Sequence, residues 1–397
     1  MRRFTVLIIA PIFATLLSMT MAPANAQELR LTPDQQAKMH KLLPGVEIDQ
    51  PLVDGLSEVF YSRDMPVRVR LKAISKLVGI DQMPPGSALH RKICIWDIAG
   101  RNGPVFQAAM EQRTLALEYG VNLEMLPFTN ETVMVEELKS GRCDAALMSG
   151  FRARTFNLYT GTIDAIGAVP DEEHMRTLLE VLAHPSQAGH MVHGDYVIMG
   201  IYPAGAAHIF VNDKRISSLA KAAGKKVAVL DYDPTQAEMV AGIGATPVPS
   251  DIVSAPNKFN NGVVDILAAP LVAYELLELY KGMQPDGGII DYPLTQLSMQ
   301  LVGRLDKFPN EVAQLIREAS FEAFDRIRER VKVEEDRVPA HWWIHIPEAD
   351  RQEYESMMQE ARTKLRKDKY YSGEMLDLER RIRCKYNSSR GECSAAR

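Results

Sequence analysis

Apolar positions change their spacing once, and sharply, along this chain. Between residues 28 and 85 they recur every three or four positions. Val67, Leu71, Ile74 and Val78 fall on one predicted helical face, and Leu52, Val53, Leu56, Val59 and Phe60 on another one helix earlier. Met83-Pro84-Pro85-Gly86 then breaks the pattern. Beyond it, short apolar runs alternate with amphipathic stretches. Strands are predicted at Ile93–Trp96, Val121–Leu126 and Ala145–Met148, separated by a helix from Pro104 to about Tyr119 and one from Thr129 or Asn130 to Gly141. After an apolar crossover at 196–211, a second alternating series follows. Its predicted elements are a helix at Ile216–Ala223, a strand at Lys226–Leu230, a helix at Pro234–Ile243, a short strand at Thr246–Val248 and a strand at Asp265–Ala269. One long helix is predicted from Pro309 to Val331, with Val312, Ile316, Ala319, Ala323, Ile327 and Val331 on its apolar face, and two charged helices at 348–368 and 373–383. Strand–helix alternation implies mostly parallel sheets covered by helices, an α/β fold.

The first residues add a compartment. Arg2 and Arg3, the apolar run Val6–Leu17 and the small-x-small ending Ala24-Asn25-Ala26 read as a secretory signal cleaved after Ala26, which places the remainder in the periplasm. Apolar residues make up 46% and charged residues 24%, ordinary for a globular protein, and the formal charge of −5 gives no electrostatic reason to expect a nucleic-acid partner. Four cysteines in an oxidising compartment allow three disulfide pairings. The expected set is Cys94–Cys143, both at the starts of apolar runs, and Cys384–Cys393, closing a polar loop; free buried thiols are the alternative.

Ligands of parallel α/β sheets bind where loops leave the carboxyl ends of strands, and three such loops carry candidate chemistry. Asp97 to Gly103 offers Asp97 and Asn102, although Asp97 is equally suited to capping the next helix. Gly150 to Asn157 offers Arg152 and Arg154, two residues apart and so on one side of an extended segment, together with Asn157. Paired guanidinium donors there either clamp a carboxylate or form salt bridges. Asp231 to Thr235 offers Tyr232 as a wall, with Asp231 and Asp233 as helix caps. Tyr202, in the crossover, lines the site or braces it. His190, His193 and Asp195 have metal-ligand chemistry but sit among glycines with no fixed geometry, and Trp342 and Trp343 read as packing. Neither a nucleophile elbow nor a metalloprotease His-Glu-x-x-His is present, so no catalytic residue, metal or cofactor is expected.

Four segments in order resemble one family. Lys214-Arg215-Ile216-Ser217-Ser218-Leu219, Gly224-Lys225-Lys226-Val227-Ala228-Val229, Gly244-Ala245-Thr246-Pro247-Val248-Pro249 and Asn261-Gly262-Val263-Val264-Asp265 are similar to the second lobe of TRAP-type (tripartite ATP-independent periplasmic) solute-binding proteins. The resemblance is clearest over 205–335 and extends from 91; residues 28–85 and 345–397 lie outside it. It implies a two-lobed, type II-like periplasmic binding protein: lobe I at 91–205, lobe II at 206–300, a return to lobe I at 301–345, a helical extension at 27–90, and C-terminal helices with a disulfide loop at 346–397. It further implies a receptor, not an enzyme, that closes on a small organic acid and delivers it to membrane permease subunits. The arginine with which that family clamps a carboxylate aligns with Ala228, and a second polar position falls among Ala268-Ala269-Pro270, so Arg152 and Arg154 are the candidate substitutes. The alternative is a receptor-derived interaction protein, attached to a transport or efflux system and lacking a tight small ligand.

Overall fold

The computed structural model describes Pro33 and residues 50–62, 64–77 and 88–394. The predicted leader, residues 1–26, lies outside these, as do Val78 and Met83-Pro84-Pro85-Gly86. Two helices of the preface are present, Gln50–Tyr61 and Val67–Leu77. Phe60 and Val67 bury their side chains with Leu315 of the helix Asn310–Glu322. Arg70 donates to the carbonyl of Phe60 (3.1 Å) and pairs with Glu318, so the preface is fastened by a buried charge pair as well as by apolar contact.

The strands in chain order are β1 (Leu89–Trp96), β2 (Val121–Phe128), β3 (Ala145–Ser149), β4 (Val192–His193), β5 (Tyr196–Val211) and β6 (Lys226–Leu230). There follow β7 (Thr246–Ser250), β8 (Ile266–Pro270), β9 (Gly288–Ile290), β10 (Thr295–Arg304) and β11 (Trp343–Ile344). The predicted crossover is a single sixteen-residue strand, β5. The chain divides into two compact units, and both β5 and β10 run through the division. The first unit takes residues up to 148 with 183–200 and 300–321; the second takes 149–182, 201–299 and 322–397. The first unit therefore leaves the expected lobe I within β3, after Met148, and takes up residues 183–200 again. The predicted helix from Pro309 to Val331 is two helices, Asn310–Glu322 and Phe324–Glu335. They break at Ala323 (φ −86°, ψ −4°), beside the change of unit.

In the first unit the strand order is β2-β1-β3-β10-β5, with β1 parallel to β2 and β3. Ile93, Ile95, Phe106, Ala145, Val197, Met199 and Phe308 form its core. Each large side chain so buried contributes roughly 1.5–3 kcal/mol relative to exposure. In the second unit β6 runs parallel to β7 and β8, whereas β5 is antiparallel to β8 and β9. Phe210, Phe259, Leu267, Met283, Ile289 and Trp342 fill its core, and the Trp342 indole N–H donates to the Tyr274 hydroxyl (2.8 Å). The fold is thus a mixed α/β sheet structure, with parallel sets β1–β3 and β6–β8 and the long strand β5 antiparallel to β4, β8 and β9.

Both expected disulfides are formed, Cys94–Cys143 and Cys384–Cys393, with Cα separations of 5.9 and 5.6 Å. Cys94 and Cys143 are buried beside β1 and β3. A cross-link restricts the unfolded chain more when it closes a longer loop. With sequence separations of 49 for the first pair and 9 for the second, replacing Cys94 and Cys143 together by Ser should cost about 4 kcal/mol and replacing the other pair about 3 kcal/mol. Urea unfolding of the two double variants measures the order, and an inverted order would contradict it.

Candidate functional site

The first nominated loop is built around Asp97, which is buried. Its carboxylate accepts from the backbone N–H groups of Ala99 (2.9 Å), Val105 (2.8 Å) and Phe106 (3.0 Å). Both oxygens are therefore engaged in fixing the turn and starting the helix Pro104–Met110. A Cβ on Gly103 would lie 1.7 Å from Asp97 Oδ1, so only glycine lets the carboxylate reach that helix start. Asn102 is exposed in the turn Gly100–Asn102.

The second and third loops meet within the second unit. Residues Gly150–Ala153 are a helical turn capped by Ser149, not the extended segment expected. Successive residues of a helix are rotated by about 100°, so Arg152 and Arg154 diverge instead of forming one clamp. The Arg152 guanidinium lies over the Tyr232 ring, its carbon 3.5 Å from the ring centroid. Arg154 goes to the other side of the same loop, with Nη1 3.9 Å from the Asp233 carboxylate. Asp233 also accepts from the Thr235 and Gln236 N–H groups (3.1 and 3.3 Å) and from the Thr235 hydroxyl (2.5 Å), which caps the helix Pro234–Gly242. Asn157 is buried and accepts from Thr160 N–H (3.1 Å), so it shapes the turn after the arginines. Tyr202 is half-buried in β5. Ala228, at the position aligned with a clamping arginine, lies in the apolar cluster of Phe210 and Leu267.

The sequence reading missed the residues that enclose Arg154. Its guanidinium carbon is 4.4 Å from the Tyr370 ring centroid and 5.2 Å from that of Tyr371. Its Nε donates to the Gly161 carbonyl (3.0 Å), and a Cβ on Gly161 would strike the Arg154 Cα at 2.3 Å. The Tyr370 hydroxyl is near enough to Asp233 and Thr235 for both to act on it. Burial pushes the Tyr371 hydroxyl up to about 12, and Tyr370 in the same direction, so both remain neutral rings beside the cation. Also missed were two buried carboxylates. Asp164 accepts from the Ser298 hydroxyl (2.7 Å) through Oδ1, while its Oδ2 has no hydrogen-bond partner among the described residues. Glu379 is fully buried near Arg362 and Arg383, and neither of its oxygens has a hydrogen-bond partner among the described residues. Periodicity held a clue to the second: Met375, Glu379 and Ile382 fall on one helical face, and all three are buried.

This mixed sheet is that of a solute-binding fold. A TRAP periplasmic solute-binding protein from Desulfovibrio salexigens, solved with bound orotic acid, superposes with a TM-score of 0.60 at 16% identity over 75% of this chain and 99% of its own. One from a Bradyrhizobium species, solved with galacturonate, gives 0.59 at 20% identity over 74% and 99%. The family described as solute-binding protein AdeT 1/2 matches residues 82–397, and the chain belongs to that family. A relative of known name, the probable solute-binding protein AdeT1 of Acinetobacter baumannii, is 38% identical over 300 residues, 76% of this chain and 99% of its own. No helix among the described residues is long and apolar enough to cross a membrane.

The buried carboxylates give the site a pH dependence. Burial pushes the Asp164 carboxyl up to about 7, against the opposing pull of the Ser298 hydrogen bond and of Arg154. Glu379 is raised well above the usual carboxylate range for the same reason, with Arg383 and Arg362 opposing. A carboxyl whose pKa is higher folded than unfolded stabilises the fold fully below about pH 4 and loses that contribution as pH rises through its folded value. Stability should therefore fall between about pH 4 and pH 7 through Asp164. In Asp164→Asn the melting temperature should depend less steeply on pH across that window; an unchanged slope would count against the assignment.

Proposed function

We propose that the protein is a periplasmic receptor for a small organic anion, recognised in the second unit by Arg152 lying on Tyr232. The observation that carries this reading is the stacking itself, at 3.5 Å. Stacking uses the face of the guanidinium, whereas its N–H donors lie in the plane and match the two oxygens of a carboxylate. The loops concerned follow β3 and β6, the position at which parallel α/β folds receive ligands. The anionic class is supported by the fold relatives, which were solved with orotic acid, galacturonate and, in a protein from Shewanella oneidensis, succinate. Ala228 means that the recognising arginine has moved relative to the TRAP pattern, from β6 to the turn after β3. On this reading the leader ending at Ala26 exports the chain, binding proceeds without turnover, and the solute passes to permease subunits of a TRAP-like transporter.

One observation favours the second reading, an interaction protein of a transport or efflux system. Tyr370 and Tyr371 already enclose Arg154, so one of the two candidate arginines is committed internally. Thermal shift with succinate, D-galacturonate, D-glucuronate and orotate separates the two, because a ligand bound by the folded form alone raises the melting temperature by mass action. Silence across a broad panel of acids would favour the interaction protein. Where an acid binds, Arg152→Ala and Tyr232→Ala should each weaken it by roughly 10- to 100-fold, the weight of a charge-assisted hydrogen bond or a stacked cation. The ligand-free melting temperature should change little, since Arg152 is only half-buried. Two variants that bind as tightly as the parent would place the site elsewhere.

A further inference from the structure

Arg154 is more deeply enclosed than a ligand-contacting group needs to be, its side chain 8% exposed. Three separate parts of the second unit converge on it. The Gly161 carbonyl accepts from Nε (3.0 Å). Asp233 stands 3.9 Å from Nη1 and caps the helix that follows Tyr232. Tyr370 covers the guanidinium at 4.4 Å and its hydroxyl is near enough to Asp233 to be acted on by that carboxylate, so it stands beside both ends of the contact. Tyr371 completes the enclosure at 5.2 Å. The two tyrosines come from the short connection between the helices Glu348–Lys367 and Gly373–Tyr386. That connection is itself held to the segment after Arg154, where the Ser372 N–H donates to the Thr162 hydroxyl (2.8 Å).

Arg152 and Arg154 leave the same helical turn in different directions, one to Tyr232 and the other to the neighbouring Asp233. The separation between the Arg152 guanidinium and the Tyr232 ring therefore depends on how firmly that turn and the 231–235 loop are held together, and Arg154 with Tyr370 is what bridges them. We infer that Arg154 is a positioning residue through which the C-terminal helices set the geometry of the Arg152–Tyr232 site. The ligand does not touch Arg154, and Tyr370 acts as a structural part of the receptor site although it stands more than a hundred residues away in sequence. This inference rests on the proposed receptor reading for its consequence in binding, but its structural half can be measured without any ligand.

The experiment compares the parent with Arg154→Gln, Tyr370→Ala and Tyr370→Phe. Hydrogen exchange is followed first in the ligand-free proteins, at the Thr235 and Gln236 amides that Asp233 holds. Arg154→Gln and Tyr370→Ala should speed exchange there by roughly tenfold or more, an opening cost lowered by about 1.4 kcal/mol. Tyr370→Phe keeps the ring on the guanidinium and should stay close to the parent. The Val105 and Phe106 amides held by Asp97 in the first unit are the control and should not change. Titration with succinate and D-galacturonate comes second: affinity should fall in Arg154→Gln and Tyr370→Ala and be retained in Tyr370→Phe. Parental exchange in both disruptive variants, or faster exchange spread equally to Val105 and Phe106, would overturn the positioning role. A parent that binds neither acid would count against the receptor reading, while the exchange result still decides whether Arg154 holds the loop.

Discussion

Three buried guanidiniums hold one irregular stretch of backbone by its carbonyl oxygens. Arg154 binds the Gly161 carbonyl at 3.0 Å, Arg362 that of Ile166 at 2.8 Å and Arg383 that of Ala168 at 2.5 Å. The stretch contains only the short turn Thr160–Thr162 and forms no strand, yet residues 160–165 are buried throughout. Buried carbonyls without a helix or sheet partner must find donors elsewhere, because leaving one unmade costs about 1–3 kcal/mol. Arginine suits the task because its planar fork carries five donors, enough to reach a carbonyl and a second partner at once. Arg383 does both, binding Ala168 with one nitrogen and Glu392 with two others at 2.7 and 2.8 Å.

Bringing three cations into the interior imposes a second requirement, that their charge be balanced there. Glu392 is placed by the Cys384–Cys393 disulfide, which ties the last turn of the chain to the helix bearing Arg383. Burial pushes the Glu392 carboxyl up, but Arg383, Arg362 and Arg390 together hold it below its ordinary value. Asp233 is the counterion of Arg154. Asp164 and Glu379 are less fully satisfied, and burial raises both. A buried carboxylate next to an arginine can be ionised at the expense of desolvation or neutral at the expense of the pair, and its protonation then depends on pH. The arginines that make the irregular segment possible thereby also give it titratable neighbours.

Much of this could be read from residue order. The alternation of apolar runs gave β1, β2, β3, β6 and β8 within a few residues, and Asp233 before Pro234 gave the capped helix after β6. Even cysteine count and position in apolar runs gave both disulfides. What could not be read has a common physical cause. Ser149 caps Gly150–Ala153 into a turn of helix, and a turn this short leaves no periodicity to detect. The arginine pair was assigned to one face on the assumption of an extended chain, and the turn sends the two apart. The partners of Arg154 lie over two hundred residues away, at Tyr370 and Tyr371, and no local spacing announces a contact that tertiary packing alone creates. Met375, Glu379 and Ile382 did carry a signal, since a charged residue on an otherwise apolar helical stripe must be paired or neutral.

The C-terminal helices are the point at which the TRAP resemblance and the family membership part. The resemblance of sequence ends near residue 345, and the TRAP structures are matched almost whole by about three quarters of this chain. The AdeT 1/2 family, by contrast, extends to residue 397 and so includes the helices Glu348–Lys367 and Gly373–Tyr386. Those helices supply Arg362 and Arg383, which hold the carbonyls of Ile166 and Ala168, and the connection between them supplies Tyr370 and Tyr371, which enclose Arg154. In the same chain the β6 position that carries the TRAP clamp is Ala228, packed against Phe210 and Leu267 with no charge to balance. Arg154 is balanced by Asp233, a carboxylate of the same unit, so its charge needs no solute to offset it.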